Sequence, residues 1–163
     1  MIEWIDSAQS FVQHLGPEDD TPIALDTEFI REKTFYAQLA LVQVGSSGRI
    51  LLVDPLALDD PTPMLSLLAS PALKVMHSPS EDLQTLRHRY GALPRPLFDT
   101  QVAAALCGFG AGLGYQALVE RVIGVRLEKG ETRSDWLRRP LSPSQLSYAA
   151  DDVRHLPEVY RRL

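Results

Sequence analysis

The chain has 163 residues, 45% of them hydrophobic and 23% charged, with a formal net charge of −5. That length and apolar fraction suit one domain with a full core, no stretch approaches the ~20 consecutive apolar residues of a membrane-spanning helix, and the opening Met-Ile-Glu-Trp-Ile-Asp lacks the regions of a signal peptide. The single cysteine, Cys107, excludes an internal disulfide and a cysteine-built zinc site, and fits a reducing cytoplasm.

In chain order, residues 4–15 carry apolar residues at helical spacing and predict a helix ending at Gly16-Pro17. Residues 22–29 read as a strand, followed by a polar loop from Arg31 to Thr34. Residues 38–44 and 49–53 read as two further strands, with Ser46-Ser47-Gly48 turning between them, so an antiparallel meander is expected. A helix over roughly 61–69 leads to an apolar strand at 73–76. After it come a helix, a short strand near Leu97-Phe98 and several more helices to the end. Two helix starts are marked by the same device. Ser78-Pro79-Ser80-Glu81 and Ser142-Pro143-Ser144-Gln145 each offer an N-cap serine, a proline at the first helical position and an acid or amide at the third.

The chemistry-bearing residues stand where these elements would hold them rigidly. Asp26 and Glu28 lie two apart in a strand, so both leave the same face. Carboxylates in an otherwise apolar strand need a partner, because an unpaired buried charge is expensive; the plain alternative is a solvated strand end. Asp82 falls in the first turn of its helix, where the helix dipole alone would also favour an acid. Tyr148 and Asp152, four apart on a helix, share a face. Oxygen ligands gathered from a strand and two helices suit hard divalent cations, and a pair of such cations suits phosphodiester cleavage. Other polar residues have simpler roles. Glu81 is expected to cap, Asp99 to cap the following helix, Asp151 to face solvent, His77 to pack, and the glycines at 108, 110, 112 and 114 to turn the chain, without the setting of a nucleotide loop.

The order Asp26-Thr27-Glu28, then Asp82 in Ser-Glu-Asp-Leu, then Tyr148-Ala-Ala-Asp-Asp152 resembles the tyrosine branch of the DEDD exonucleases, and the wording is most similar to ribonuclease D. The resemblance runs from Pro22 to the last helix. It implies an α/β ribonuclease H-like exonuclease fold, with a central mixed sheet of about five strands flanked by helices. It also implies removal of nucleotides one at a time from RNA 3′ ends, precursor tRNA among them, with release of nucleoside 5′-monophosphates. In that picture Asp26, Glu28, Asp82 and Asp152 hold two Mg²⁺ or Mn²⁺ ions, and the Tyr148 hydroxyl orients the attacking water. Thr27, Phe29, Arg31, Lys33 and Arg133 are the candidate substrate contacts; Phe35 and Tyr36 add aromatic faces on which bases could stack. Ribonuclease D proteins generally continue into HRDC domains, and residues 1–163 are expected to be the exonuclease domain without one. The alternatives are a DNA-directed exonuclease of the Werner-like branch and a nucleic-acid-binding module of low turnover. Net acidity sits awkwardly with nucleic-acid binding. Removing the four proposed ligands from the count, however, leaves 17 acids against 16 bases, and nine of those bases fall in residues 110–163.

Overall fold

The computed structural model describes residues 1–15, 21–32, 34–128, 130–131 and 134–163. In order these form β1 (Ile2–Ile5), α1 (Ala8–Leu15), β2 (Ile23–Ile30), β3 (Gln38–Ser46), β4 (Arg49–Val53), α2 (Thr62–Ala69) and β5 (Lys74–Met76). There follow α3 (Ser80–Tyr90), β6 (Leu97–Asp99), α4 (Thr100–Leu106), α5 (Tyr115–Ile123), α6 (Pro143–Arg154) and α7 (Leu156–Arg162). The strands make one six-stranded mixed sheet in the order β1-β4-β3-β2-β5-β6.

The expected meander is present. β2 pairs antiparallel with β3 and β3 antiparallel with β4, while β1–β4, β2–β5 and β5–β6 are parallel. The β3–β4 connection turns through Ser47 and Gly48, at φ 49° and 77°; two successive positive φ values are what a tight hairpin requires, and they explain glycine at the second position. The sheet has one strand more than the expected five. Residues 2–5, whose last two were read as helical, pair in parallel with β4, and the helix begins only at Ala8.

Helices cover both faces. On one, Leu25, Val42, Val44 and Leu51 meet Phe11 of α1, Met64 and Leu67 of α2 and Leu86 of α3. On the other, Ala24, Leu41, Leu52 and Val75 meet Ala149, Ala150 and Val153 of α6, together with Trp136. β2 and β3 are covered on both sides, which is why β3 reads as an almost unbroken apolar run. The approach of α6 is close. A Cβ added at Gly45 would stand 3.2 Å from the Ala24 Cβ and 3.3 Å from the Val153 carbonyl oxygen, so the small residues let the helix lie on the sheet.

The segment before α6 is fastened to the sheet by one buried ion pair. Arg139 Nε and Nη2 donate to the two Asp54 oxygens at 2.7 and 2.8 Å, and Nη2 also donates to the Ala40 carbonyl at 2.7 Å. The guanidinium lies 5.4 Å from the Trp4 ring centroid. At the other end of the site, β5 is anchored by Lys74, whose buried ammonium donates to the carbonyls of Ser70, Ala72 and Arg95.

The two marked helix starts fare differently. Ser142 caps α6 as expected, in a full capping box with Gln145. Ser78 does not cap α3: it adopts φ 53°, Pro79 occupies the cap position without a side-chain bond, and the Ser78 amide donates to Asp99. Glu81 therefore belongs to no capping box and instead lies 3.5 Å from Arg31.

Candidate active site

β2 delivers Asp26 and Glu28 to the α6 side of the sheet, as their two-residue spacing requires, with a register shift just after Glu28. One helical turn of α6 places Tyr148 and Asp152 opposite them. Carboxylate oxygens of Asp26, Glu28 and Asp152 lie within 4.8 Å of one another. Asp82, in the first turn of α3, stands beside this group, close enough to raise the proton affinity of the other three. Its Oδ1 accepts a 2.5 Å hydrogen bond from the Thr27 hydroxyl. Three consecutive β2 residues thus serve the site, two directly and one through Asp82.

Burial dominates the electrostatics. It raises Asp26 well above its usual value, with further repulsion from Asp82, Asp152 and Glu28. Burial and then the Asp152 and Asp82 charges push Glu28 up to about 9. Asp152 is pushed up to about 7, mainly by burial, against a hydrogen bond from the Tyr148 hydroxyl that favours its charge. In Asp82 burial again outweighs the Thr27 hydrogen bond that lowers it. The Tyr148 phenol is itself raised by burial and by the nearby carboxylates, so it stays protonated at neutral pH and can only donate or accept a hydrogen bond.

These residues fit a hard cation. Four acids crowd one site, and Asp152 Oδ2 is buried with no hydrogen-bond partner. A divalent ion would supply both the missing partner and the missing positive charge. Asp26, Glu28 and Asp152 are the one group of this kind among the described residues.

Tyr148 is held between two surfaces. Its ring tilts against Trp136 at a centroid distance of 6.0 Å. On another side it meets bare backbone: a Cβ built on Gly130 would fall 1.7 Å from ring atoms Cδ2 and Cε2. Only glycine fits there.

The candidate substrate contacts are dispersed. Thr27 is buried and its hydroxyl is committed to Asp82, so it orders that carboxylate from behind. Phe29 is half-buried beyond the strand irregularity, and Arg31 is exposed beside Glu81. Lys33 and Arg133 lie outside the described residues. Phe35 and Tyr36 are exposed, with Tyr36 stacked on His88 at 4.1 Å. The simpler readings also have their places. Asp99 caps α4, Asp151 pairs with Arg154, and His77 is tied to the Thr100 hydroxyl and the Leu113 carbonyl. The glycines at 108, 110 and 112 take positive φ in the connection after α4.

Two residues at the site were not foreseen. Gly130 shows no sequence signal beyond being a glycine. Gln43 does: it is an amide inside the apolar run of β3, the same anomaly that singled out Asp26 in β2.

A sheet of this order with acids converging from its central strand, α3 and α6 defines a class of nuclease, and the comparisons agree. A family model described as 3′-5′ exonuclease matches residues 1–163, and the chain belongs to that family. Within it, the relatives are ribonuclease D proteins. That of Xanthomonas oryzae pv. oryzae is 54% identical over all of this chain and 45% of its own length, and that of Pseudomonas paraeruginosa 49% identical over 99% and 44%. The crystal structure of Escherichia coli RNase D, described as an exoribonuclease involved in structured RNA processing, superposes with a TM-score of 0.91 at 38% identity. It covers 99% of this chain and 44% of that one. The chain therefore spans less than half the length of these relatives.

Proposed function

We propose that this chain supplies the catalytic site of a 3′-5′ exoribonuclease resembling ribonuclease D, releasing nucleoside 5′-monophosphates from unpaired RNA 3′ ends, with precursor tRNA as a natural substrate. The observation that carries the reading is the convergence of Asp26, Glu28 and Asp152 within 4.8 Å, with Asp82 alongside and Tyr148 one helical turn from Asp152. Asp26, Glu28, Asp82 and Asp152 would hold two divalent cations, Mg²⁺ or Mn²⁺. When bound, such ions lower the pKa of an attacking water and offset charge on the phosphate and leaving oxygen.

The chain's own residues do the rest. The four acids would hold the cations from β2, α3 and α6. Because Tyr148 keeps its proton, its hydroxyl is a hydrogen-bonding guide for the nucleophile and not a base. Arg31, paired with Glu81, would meet a backbone phosphate. Phe29, next to Glu28, offers a face to the terminal base. The test is a metal-dependent assay on 5′-labelled single-stranded RNA and DNA, with Asp26→Ala as control. A ladder shortening from the 3′ end on RNA, absent in EDTA and in the variant, is expected. Internal cuts, or equal activity in Asp26→Ala, would refute the reading, and preference for DNA would move it to the Werner-like branch.

A further inference from the structure

Gln43 is fully buried, and neither its side-chain nitrogen nor its oxygen has a hydrogen-bond partner. An orphaned amide in a core is costly, so its presence calls for a reason. The ladder supplies one. Gln43 stands directly opposite Asp26 in the β2–β3 pair and opposite Leu52 in the β3–β4 pair. Directly paired residues project to the same face with Cβ atoms roughly 4.5–5.5 Å apart, so the amide lies on the α6 side with the carboxylates. Its other neighbours there are Leu41 and Gly45 along its own strand, Ala24 on the diagonal and the apolar side of α6 above. Glu28 is the second diagonal neighbour, opposite Leu41. Among the polar groups on this face, which include the Trp136 indole and the Asp54–Arg139 pair, the Asp26 carboxylate is the one directly across the ladder.

A carboxylate that binds a cation through one oxygen presents the other to its surroundings, and such ligands are themselves commonly hydrogen-bonded by an outer group that sets their orientation. We propose that Gln43 is a positioning residue for Asp26: its side-chain N–H, unpartnered in the metal-free protein, donates to the Asp26 carboxylate once a cation is bound and fixes that residue in the orientation the cation needs. The inference rests on the reading of the acidic cluster as a cation centre. It assigns the buried amide to metal binding and turnover, and not to the packing of β3.

The two roles make opposite predictions. If Gln43 only fills space, an apolar replacement removes an unsatisfied group and leaves the site intact. If it orients Asp26, the replacement weakens the site without weakening the fold. The experiment compares wild type, Asp26→Ala, Gln43→Leu and Gln43→Met in Mn²⁺ titrations without substrate, in metal-free melting, and in kcat and KM on single-stranded RNA. Expected are melting temperatures at or above wild type for the Gln43 variants, Mn²⁺ affinity lower by roughly 10–100-fold, and a fall in kcat with KM little changed. Wild-type affinity and kcat in folded Gln43→Leu or Gln43→Met overturn the proposal, as does a loss of stability alone. A second measurement needs no variant. The Gln43 side-chain NH₂ resonance of the wild type should move on titration with Mg²⁺, and an unmoved resonance at saturation also overturns it. Failure of wild type to bind Mn²⁺, or unaltered binding by Asp26→Ala, would instead sink the cation-centre reading beneath it.

Discussion

Replacing Glu28 by Gln should make the metal-free protein more stable, and the gain should depend on pH in a defined direction. Glu28 titrates from 4.5 in the unfolded chain to about 9 in the fold, chiefly because it is buried and then because Asp152 and Asp82 oppose its charge. Between those values folding must take up a proton. The stability contributed by this group is complete below pH 4.5 and drains away as pH rises towards 9. At about 1.4 kcal/mol per pH unit, holding Glu28 protonated in the fold costs up to ~3 kcal/mol at pH 7. Gln carries no such cost. For a domain of this size the relief corresponds to a rise in Tm of about 6–12 °C, shrinking to nothing near pH 4.5. Circular dichroism melts in EDTA at both pH values measure it. Saturating Ca²⁺ should reverse the order, because a cation replaces the proton in the wild type and the variant has lost a ligand. An equal gain at pH 4.5 and pH 7, or a variant less stable than wild type at pH 7 without metal, would refute the electrostatic account.

Tyr148→Phe should keep Mn²⁺ binding and the fold while slowing hydrolysis; positioned proton-handling groups contribute about 10²–10⁴-fold, and single-turnover rates with saturating metal would read the loss directly. Arg139→Met should act on stability, not chemistry. It strands buried Asp54 and frees the segment before α6, at about 3–5 kcal/mol or a fall in Tm of roughly 10 °C, and its Mn²⁺ affinity measured well below the melt should stay near wild type.

Local chemistry made some parts of this molecule readable in advance and left others dark. Asp26 and Glu28 were legible because carboxylates inside an apolar strand violate burial rules unless something compensates. Tyr148 and Asp152 were legible because the Ser142 capping box fixed the phase of their helix. β1 was not, since its pairing partner lies more than 40 residues away on β4 and its four residues run straight into the apolar spacing of α1. Ser78 was misread because serine-proline marks a helix start without saying which residue caps it. Here the chain turns through positive φ first, and the Ser78 amide goes to Asp99 on β6, a tertiary contact no local pattern contains. Gln43 carried the same anomaly as Asp26, but recognising what it faces needs the β2–β3 register.

β2 lies in the interior of the sheet, bonded to β3 on one edge and β5 on the other. Backbone bonds of such a strand break only in openings near the full unfolding free energy, whereas helix ends and surface segments open far more cheaply. β5 pairs only with Ile23 and Ala24, so Asp26 and Glu28 are held through the β3 ladder on a strand anchored in the sheet interior. Thr27 leashes Asp82 to the same strand, although Asp82 itself sits in the first turn of a helix. Tyr148 and Asp152 ride on a helix laid over the sheet and strapped down by side chains. The two halves of the site therefore differ in what holds them: backbone ladder bonds for one, and core packing of Ala149, Ala150 and Val153 for the other.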